Sequence, residues 1–281
     1  MLRLGVRVRR DQAEIVLAEL LSLAPSGVEE VAIGSGPGAV VEYAVYGAPG
    51  ELPALPDLTA ACGDALVEVR TSEVADDWDQ RWRTFHRPLV LEAGRLAVRP
   101  PWEPPVGAAV EIVVDPGQAF GTGAHATTRL CLELMLELSA GNPGGSFLDL
   151  GSGSGVLAIA AARLGWEPVM ALDYDPASVE ATADNARVNG VAIEVRRHDL
   201  RTDPVARART VAANLLRPLL LAWAGRLEAL PPASLPEIVI AGGLLIAEAD
   251  EAAGAFSALG LAESERRESG EWAALLLRRA T

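Results

Sequence analysis

The segment Phe147-Leu148-Asp149-Leu150-Gly151-Ser152-Gly153-Ser154-Gly155 decides how the rest of the sequence is interpreted. An apolar run typical of a buried strand is followed by three alternate glycines, and the apolar residues 156–162 then begin a helix. Glycine is needed where the backbone bends sharply and where a ligand approaches it closely, and the helix N-terminus offers unpaired N–H groups. The segment therefore predicts a strand–turn–helix unit that binds a nucleotide-containing cofactor.

The sequence around this turn predicts an alternation of strands and helices. A strand at 110–114 and a helix at 129–138 precede it. Strands are predicted after it at 169–172, 193–196, 210–213 and 238–241, with helices at 176–189, 218–230 and 245–259. The last two strands, at 261–267 and 272–277, have no helix between them and are therefore predicted to be antiparallel. The pattern indicates an α/β fold with a doubly wound, Rossmann-like sheet.

Residues 1–72 are predicted to form a separate small domain. Strands at 2–9, 28–33, 39–46 and 65–71, with helices at 11–23 and 58–62, give the order β-α-β-β-α-β of a ferredoxin-like α+β fold. No catalytic cluster stands out there, so recognition of a partner is the favoured role and a purely structural extension the alternative. Residues 73–90 are predicted to contain a linker helix, because Trp78, Trp82 and Phe85 share one helix face. Residues 91–281 form the predicted cofactor domain.

Composition limits the function classes. The chain has 281 residues, a net charge of −14 and no lysine. An acidic surface binds nucleic acid poorly in bulk and suits a basic protein partner. No apolar run reaches the roughly 18 residues of a membrane span, and the first ten residues alternate apolar residues with Arg, unlike a signal peptide, so a cytoplasmic protein is predicted. Cys62 and Cys131 lack metal-ligand spacing, and no metal site is predicted.

Carboxylates narrow the choice of cofactor. Asp173 follows the glycines by about 20 residues at a strand end, where it can bind ribose hydroxyls of NAD or of another adenosine cofactor. The dinucleotide fingerprint requires a glycine where Val156 stands. Asp149 would repel a pyrophosphate but suits the ammonium and sulfonium groups of S-adenosylmethionine. With Asp199 and Asn214 near the ends of the next two strands, the pattern favours S-adenosylmethionine.

A second glycine-containing loop, residues 115–128, is predicted to fold over the cofactor. Phe120 offers an apolar surface, and Thr122, Thr127 and Thr128 offer hydroxyls. His125 can orient a ligand carboxylate or act as an acid or base near neutral pH. A structural hydrogen bond at the start of the following helix is an equal alternative for His125.

Asn214 indicates the acceptor chemistry. Many amino-group methyltransferases have Asn-Pro-Pro-Tyr at this strand end, where the Asn oxygen accepts a hydrogen bond from the target N–H and the aromatic ring stacks on a planar acceptor. The sequence here is Asn214-Leu215-Leu216-Arg217, without an aromatic residue. The absence of the aromatic ring predicts an aliphatic amine as acceptor.

These motifs resemble the ribosomal protein methyltransferase A family (PrmA), which methylates the eleventh protein of the large ribosomal subunit. The similarity extends over nearly the whole chain, and its most specific part is Phe120-Gly121-Thr122-Gly123-x-His125-x-Thr127-Thr128. Other matching segments are Asp77-Trp78, Trp82-Arg83, Asp115-Pro116-Gly117, Asp149–Gly155, Ala213–Leu216 and Glu271-Trp272. Ala124 and Ala126 depart from the Thr and Pro that are usual in the family.

The resemblance implies roles for individual residues. Thr128, Gly151, Asp173 and Asn214 would contact the cofactor, and Phe120 and Gly121 would cover it. The first domain would dock the ribosomal protein, whose lysine ε-amines and N-terminal α-amine would receive the methyl groups.

Residue patterns and resemblance together define the predicted site. Its cofactor-binding residues are Phe120, Gly121, Thr122, Thr127, Thr128, Asp149, Gly151, Gly153, Gly155, Asp173, Asp199 and Asn214. Asn214 and His125 are the predicted catalytic residues. The alternatives are a methyltransferase for RNA or a small amine, an NAD oxidoreductase, and a catalytically silent adapter.

Overall fold

The computed structural model describes residues 2–12, 16, 29–33, 40–47, 58–59, 62–73, 87–115, 125–141 and 144–279. The chain divides into two compact units, Met1–Phe85 and His86–Thr281. The predicted helix at 11–23 and the predicted linker helix lie almost entirely outside the described residues, as do Phe120, Gly121 and Thr122.

The first unit contains a four-stranded antiparallel sheet. Its strands are β1 (Leu2–Arg9), β2 (Glu29–Ile33), β3 (Val40–Gly47) and β4 (Leu66–Glu73), in the order β2-β3-β1-β4. Short 3-10 helices lie at Arg10–Gln12 and Gly63–Ala65. One sheet face buries Leu4, Val6 and Val8 in an apolar core, because alternate residues of a strand point to the same side. On the strands, Glu42 is buried between the guanidinium groups of Arg3 and Arg7.

The second unit begins with a small three-stranded sheet. It consists of β5 (Leu89–Leu91), β6 (Leu96–Arg99) and β7 (Val110–Val113), with β5 antiparallel and β7 parallel to β6. A 3-10 helix, Glu92–Gly94, joins the first two strands. The strand predicted at 110–114 therefore exists, and it belongs to this separate sheet.

The remaining strands form the large mixed sheet of the second unit. They are β8 (Phe147–Leu150), β9 (Val169–Asp173), β10 (Glu194–Arg197), β11 (Thr210–Asn214), β12 (Ile238–Leu245), β13 (Leu261–Ser269) and β14 (Trp272–Arg279). The order is β10-β9-β8-β11-β12-β14-β13, parallel from β10 to β12 and antiparallel around β14. The prediction that the last two strands, β13 and β14, pair antiparallel is confirmed.

Helices cover both faces of this sheet. They are α1 (Ala126–Ala140), α2 (Val156–Arg163), α3 (Pro176–Val188), α4 (Arg217–Leu227) and α5 (Ile246–Ser257), with a 3-10 helix at Pro232–Ser234. Successive strand residues enter opposite cores: Phe147 packs with α1 and α2, whereas Leu148 packs with α4 and α5. The doubly wound α/β methyltransferase-like architecture follows from this two-sided burial.

The predicted helix boundaries are accurate where the capping signals are clear. Asp175 caps α3 by accepting the N–H of Ala177 at 3.1 Å, and proline follows at the first helical position, as predicted. Helix α1 begins three residues earlier than the predicted residue 129, because His125 is its N-cap. In the described part of the chain, no helix is long and apolar enough to cross a membrane.

Candidate active site

The glycine turn connects β8 to α2 and is held against the neighbouring strand. The N–H groups of Gly151 and Ser152 donate to Leu172 O at 2.8 and 3.0 Å. Gly151 has φ +80°, and a Cβ there would lie 2.4 Å from Leu215 Cδ2. The left-handed backbone favours glycine at position 151, and the Leu215 side chain would have to shift to admit a Cβ there.

Asp173 joins the turn to the end of β9. Its Oδ2 accepts the N–H of Gly153 at 2.9 Å, and its Oδ1 accepts the N–H of Asp175 at 3.0 Å. These two bonds fix the carboxylate at the carboxyl end of the parallel strands, where ligands bind in open α/β sheets. The predicted position of this side chain beside the turn is therefore correct.

A cavity of about 700 Å³ lies above these strand ends. Its wall includes His125, Thr127, Thr128, Gly151, Gly153, Asp173, Asp199 and Asn214 from the predicted site. It also includes Tyr174, His198, Arg201, Leu215, Leu216 and Trp272, which the sequence did not single out as ligand contacts. The volume is within the range of small-molecule sites. The structure thus brings eight of the predicted residues to one cavity.

Asp149 occupies a different position from the one predicted. Its side chain is buried behind the cavity wall, where Oδ2 accepts the N–H of Ala158 at 3.0 Å in the first turn of α2. Burial raises the pKa of Asp149 to about 7, with a further contribution from the negative charge of Asp173. Asp149 therefore holds the N-terminus of α2 and does not line the cavity. Gly155 also lies behind the wall, where a Cβ would be 2.7 Å from Thr182 Cγ2.

His125 has a structural contact at the start of α1. Its Nδ1 accepts the N–H of Thr127 at 3.4 Å and lies 2.8 Å from Thr127 Oγ1. The imidazole also meets the ring of Trp272 edge-on, with 4.9 Å between the ring centroids. Burial lowers the pKa of His125, which favours a neutral ring at neutral pH. The side chain lines the cavity while it caps the helix, so both alternatives open from the sequence have a geometric basis.

Asn214 ends β11 with an unsatisfied acceptor. Its Nδ2 lies 3.4 Å from Thr128 Oγ1, to which it donates, whereas its Oδ1 is buried and has no hydrogen-bond partner among the described residues. A buried oxygen without a donor is costly, and at a cavity wall a ligand N–H can satisfy it. The structure therefore presents the acceptor that the sequence reasoning required at this position.

The cavity wall near β10 is more charged than predicted. Arg201 donates to Asp199 through its backbone N–H at 2.9 Å and through Nε at 3.2 Å. Both hydrogen bonds lower the pKa of Asp199, and the bond from the backbone N–H of Arg201 contributes most. The guanidinium carbons of Arg197 and Arg201 lie 5.1 and 5.9 Å from the centre of the Tyr174 ring. Asp199 is thus on the wall, and Arg201 neutralises its charge.

Two buried asparagines hold the end of β7: Asn185 in α3 and Asn189, the residue that follows this helix. The sequence did not single out either of them as a support of the site. Asn189 accepts the N–H of Val113 at 2.8 Å and donates to Val113 O at 2.6 Å. Asn185 accepts the N–H of Asp115 at 3.0 Å and donates to Ser154 O at 2.9 Å. Asn185 thereby connects the glycine turn to the chain that leads into the loop 115–128. The available sequence signal for this support was a polar asparagine at each of two otherwise buried positions, one in α3 and one at its end.

The described residues contain no cluster of three or more His, Cys, Asp or Glu side chains able to hold a metal ion.

Comparison with known proteins identifies the family. The family model described as ribosomal protein L11 methyltransferase (PrmA) matches residues 56–280. The L11 methyltransferase of Pelotomaculum thermopropionicum is 40% identical over 219 residues, which cover 76% of this chain and 69% of that protein. The L11 methyltransferase of Geobacter sulfurreducens is 40% identical over 229 residues, which cover 80% of this chain and 74% of that protein. A crystal structure of ribosomal protein L11 methylase from Lactobacillus delbrueckii subsp. bulgaricus has a TM-score of 0.60 and 30% identity, covering 69% of this chain and 100% of that chain.

These matches confirm the predicted family, the enzyme class and the methyl donor. The chain belongs to the ribosomal protein L11 methyltransferase (PrmA) family of S-adenosylmethionine-dependent methyltransferases.

Proposed function

We propose that this chain transfers methyl groups to lysine ε-amines and the N-terminal α-amine of ribosomal protein L11, a basic protein of the large subunit. The observation that carries the proposal is the buried, unpartnered Oδ1 of Asn214 on the cavity wall. An amide oxygen accepts a hydrogen bond from an amine N–H. The relatives named above are L11 methyltransferases, and this chain shares their family.

The residues present fit S-adenosylmethionine. The Asp173 carboxylate is fixed by two backbone N–H groups and retains acceptor capacity for ribose hydroxyls. Tyr174 and Leu172 line the adjoining wall and provide surface for the adenine ring. His125, Thr127 and Thr128 provide polar groups on the side of Asn214. Asp149, with one buried oxygen that has no partner among the described residues, supports this site indirectly through α2.

Methyl transfer requires a neutral amine aligned with the donor. When bound, S-adenosylmethionine supplies a methyl group: its sulfonium–methyl bond breaks, sulfur keeps the bonding electron pair, and the amine lone pair forms the new N–C bond. Asn214 Oδ1 accepts one amine N–H and so directs the lone pair away from itself, toward the cavity. This alignment is the main catalytic contribution of the chain.

The amine must lose a proton before it attacks. A lysine ammonium has a pKa of about 10.4, and entry into a cavity that excludes water lowers that value. The proton passes to water, and Asn214 orients the neutral amine that remains. His125 is neutral but uses Nδ1 at the helix start, so its proposed role is to orient a ligand group.

The first unit is proposed to dock the ribosomal protein. Its strand order β2-β3-β1-β4, antiparallel throughout, is the order expected of a ferredoxin-like domain at residues 1–72. The net charge of −14 favours a basic partner over bulk nucleic acid. A ribosomal protein substrate also places the enzyme in the cytoplasm.

The test is methylation of purified ribosomal proteins and of rRNA with labelled S-adenosylmethionine. We expect label in L11, located by mass spectrometry on lysine side chains and the N-terminus. Because this chain has no lysine, every methyl-lysine in the reaction comes from the added substrate. Label confined to rRNA would refute the proposal in favour of an RNA methyltransferase.

Docking by the first unit is tested on the full chain in complex with L11. A zero-length carbodiimide reagent joins carboxylates of this chain to lysines of its partner, and it cannot join two copies of this chain through lysine. We expect cross-links from Glu68, whose partly exposed carboxylate lies on the polar face of the first sheet. Cross-links confined to residues 86–281 would contradict docking by the first unit.

A further inference from the structure

Two neighbouring helices begin with exposed leucines at the edge of the cavity. Leu216 is the N-cap of α4 and is 67% exposed, and Leu245 is the N-cap of α5 and is 38% exposed. Ser, Thr, Asp and Asn are favoured at N-caps because their side chains accept a backbone N–H, which leucine cannot do. Leucine is therefore an unusual residue at these two helix starts, and such local violations concentrate at functional sites.

These leucines belong to one continuous surface. Glu248 connects them, because its Oε1 lies 3.2 Å from Arg217 Nε and its Oε2 accepts the N–H of Leu245 at 3.0 Å. Leu245 is the cross-strand partner of Trp272, so their side chains lie on the same face of the sheet. Leu216 and Trp272 also line the cavity. With Ile246, which is 38% exposed, these residues form what we call the apolar rim: Leu216, Leu245, Ile246 and Trp272.

The charges beside the apolar rim favour a cationic occupant. Glu268 and Glu271 are exposed near Trp272, and no described basic side chain pairs with either. Arg217, which follows Leu216, is neutralised by Glu248 and Glu251. A phosphate backbone would meet unpaired carboxylates there, whereas lysine and arginine side chains would find partners.

We propose that the apolar rim holds the segment that carries the acceptor amine: an extended, cationic polypeptide whose apolar side chains pack on Leu216 and Ile246 while its amine enters the cavity. The proposal rests on the proposed function and names the part of the site that selects a polypeptide. The rim is continuous with the cavity through Leu216 and Trp272, so a chain lying on it can deliver an amine to Asn214.

Leu216→Ser tests the proposal because substrate use should fall while stability and cofactor affinity stay nearly unchanged. Leu216 is largely exposed, Pro218 has no N–H, and the N–H of Leu219 already donates to Leu216 O, so the melting temperature should stay within about 2 °C of the wild-type value. Affinity for S-adenosylmethionine, measured by calorimetry, should stay within about twofold. The kcat/KM for L11 should fall about tenfold or more, which is the size of loss expected when a leucine of a binding interface is removed. Ile246→Ser should lower the same kcat/KM without a change in cofactor affinity.

Two control variants separate the possible causes. Leu216→Met keeps an apolar side chain and should retain most of the wild-type kcat/KM. Val106→Ser replaces a comparably exposed residue, 42%, outside the rim and should have no effect. A wild-type kcat/KM in Leu216→Ser, an equal loss in Leu216→Met, or a parallel loss of cofactor affinity would each overturn the proposal. Failure of the wild-type enzyme to methylate any protein refutes the proposed function instead, and methylation confined to RNA does the same.

Discussion

Substitution of Gly242 by alanine is expected to damage catalysis through the position of Asn214. Gly242 lies opposite Asn214 in the β11–β12 pair and has no left-handed φ, so the backbone accepts alanine. The added Cβ would lie 2.4 Å from Cys131 Sγ and 2.9 Å from Asn214 Oδ1. Both distances are shorter than ordinary van der Waals contacts, so these two side chains must move.

The distances set the expected magnitudes. Cys131 is fully buried in α1 and cannot move into solvent, so the sulfur contact should cost about 1–3 kcal/mol of unfolding free energy. Relief of the second contact moves the Asn214 amide by several tenths of an ångström. Because misplacement by about 1 Å can cost 100-fold in rate, kcat should fall roughly 10- to 100-fold. Affinity for S-adenosylmethionine should change much less, since Asp173 is untouched.

The double variant Cys131→Ala/Gly242→Ala separates catalysis from core strain. Loss of the sulfur removes the 2.4 Å contact and should restore part of the unfolding free energy measured by urea denaturation, whereas the contact with Asn214 remains and kcat should stay low. Gly225→Ala in α4 is the control, because a Cβ there has no neighbour within 4 Å. Recovery of kcat together with stability in the double variant would show that Asn214 is not involved and would refute the reasoning.

Three further predictions concern the cofactor, the buried acid and the support of β7. Asp173→Ala should weaken S-adenosylmethionine binding in calorimetry with a smaller effect on kcat at saturation, whereas Asn214→Ala should abolish methylation with little effect on that affinity; the reverse pattern would contradict both roles. The raised pKa of Asp149 means that the folded state holds its proton more tightly, so the stability it contributes is complete below about pH 4 and is lost as the pH rises toward about 7. Asp149→Asn should remove that slope, at most about 1.4 kcal/mol per pH unit, from denaturation curves recorded across this range. Asn189→Leu should cost about 2–4 kcal/mol in urea denaturation, because it leaves the N–H and C=O of Val113 unpaired, and an unchanged midpoint would argue against the side-chain pairing.

Much of the second unit could be predicted because its signals are local. The strands β8, β9, β11 and β12 are largely apolar runs, and the polar residues that end β9 and β11, Asp173 and Asn214, mark the cavity edge. The cap at Asp175 and the glycine turn depend on neighbours within a few residues, which one sequence shows directly. The family resemblance added substrate and covering-loop roles that those local patterns do not contain.

The features that could not be predicted depend on which face of an element is covered. Asp149 was assigned to the ligand because it precedes the glycines, but β8 is buried on both faces and its residues alternate between two cores. Phe147 packs on the side of α1 and α2, so the side chain two residues later points to that side as well, toward the first turn of α2. Strand parity thus places the carboxylate beneath the helix. The alternation of side chains along β8 would have predicted the position of Asp149 if the helices that cover each face of the strand had been known.

The apolar rim illustrates a different limit. Leu216 and Leu245 are 29 positions apart in sequence, and each alone is consistent with an ordinary core residue before a helix. Their meaning arises because β11 and β12 are adjacent and parallel, which places two helix starts side by side at one edge of the sheet. One exposed leucine at a helix start is a weak signal. Two on neighbouring helices, continuous with a cavity wall through Leu216 and beside unpaired carboxylates, favour a polypeptide with cationic side chains. Adjacency of strands therefore combines two local irregularities into a hypothesis about substrate selection, and the loss of turnover at nearly unchanged stability expected of Leu216→Ser is its consequence.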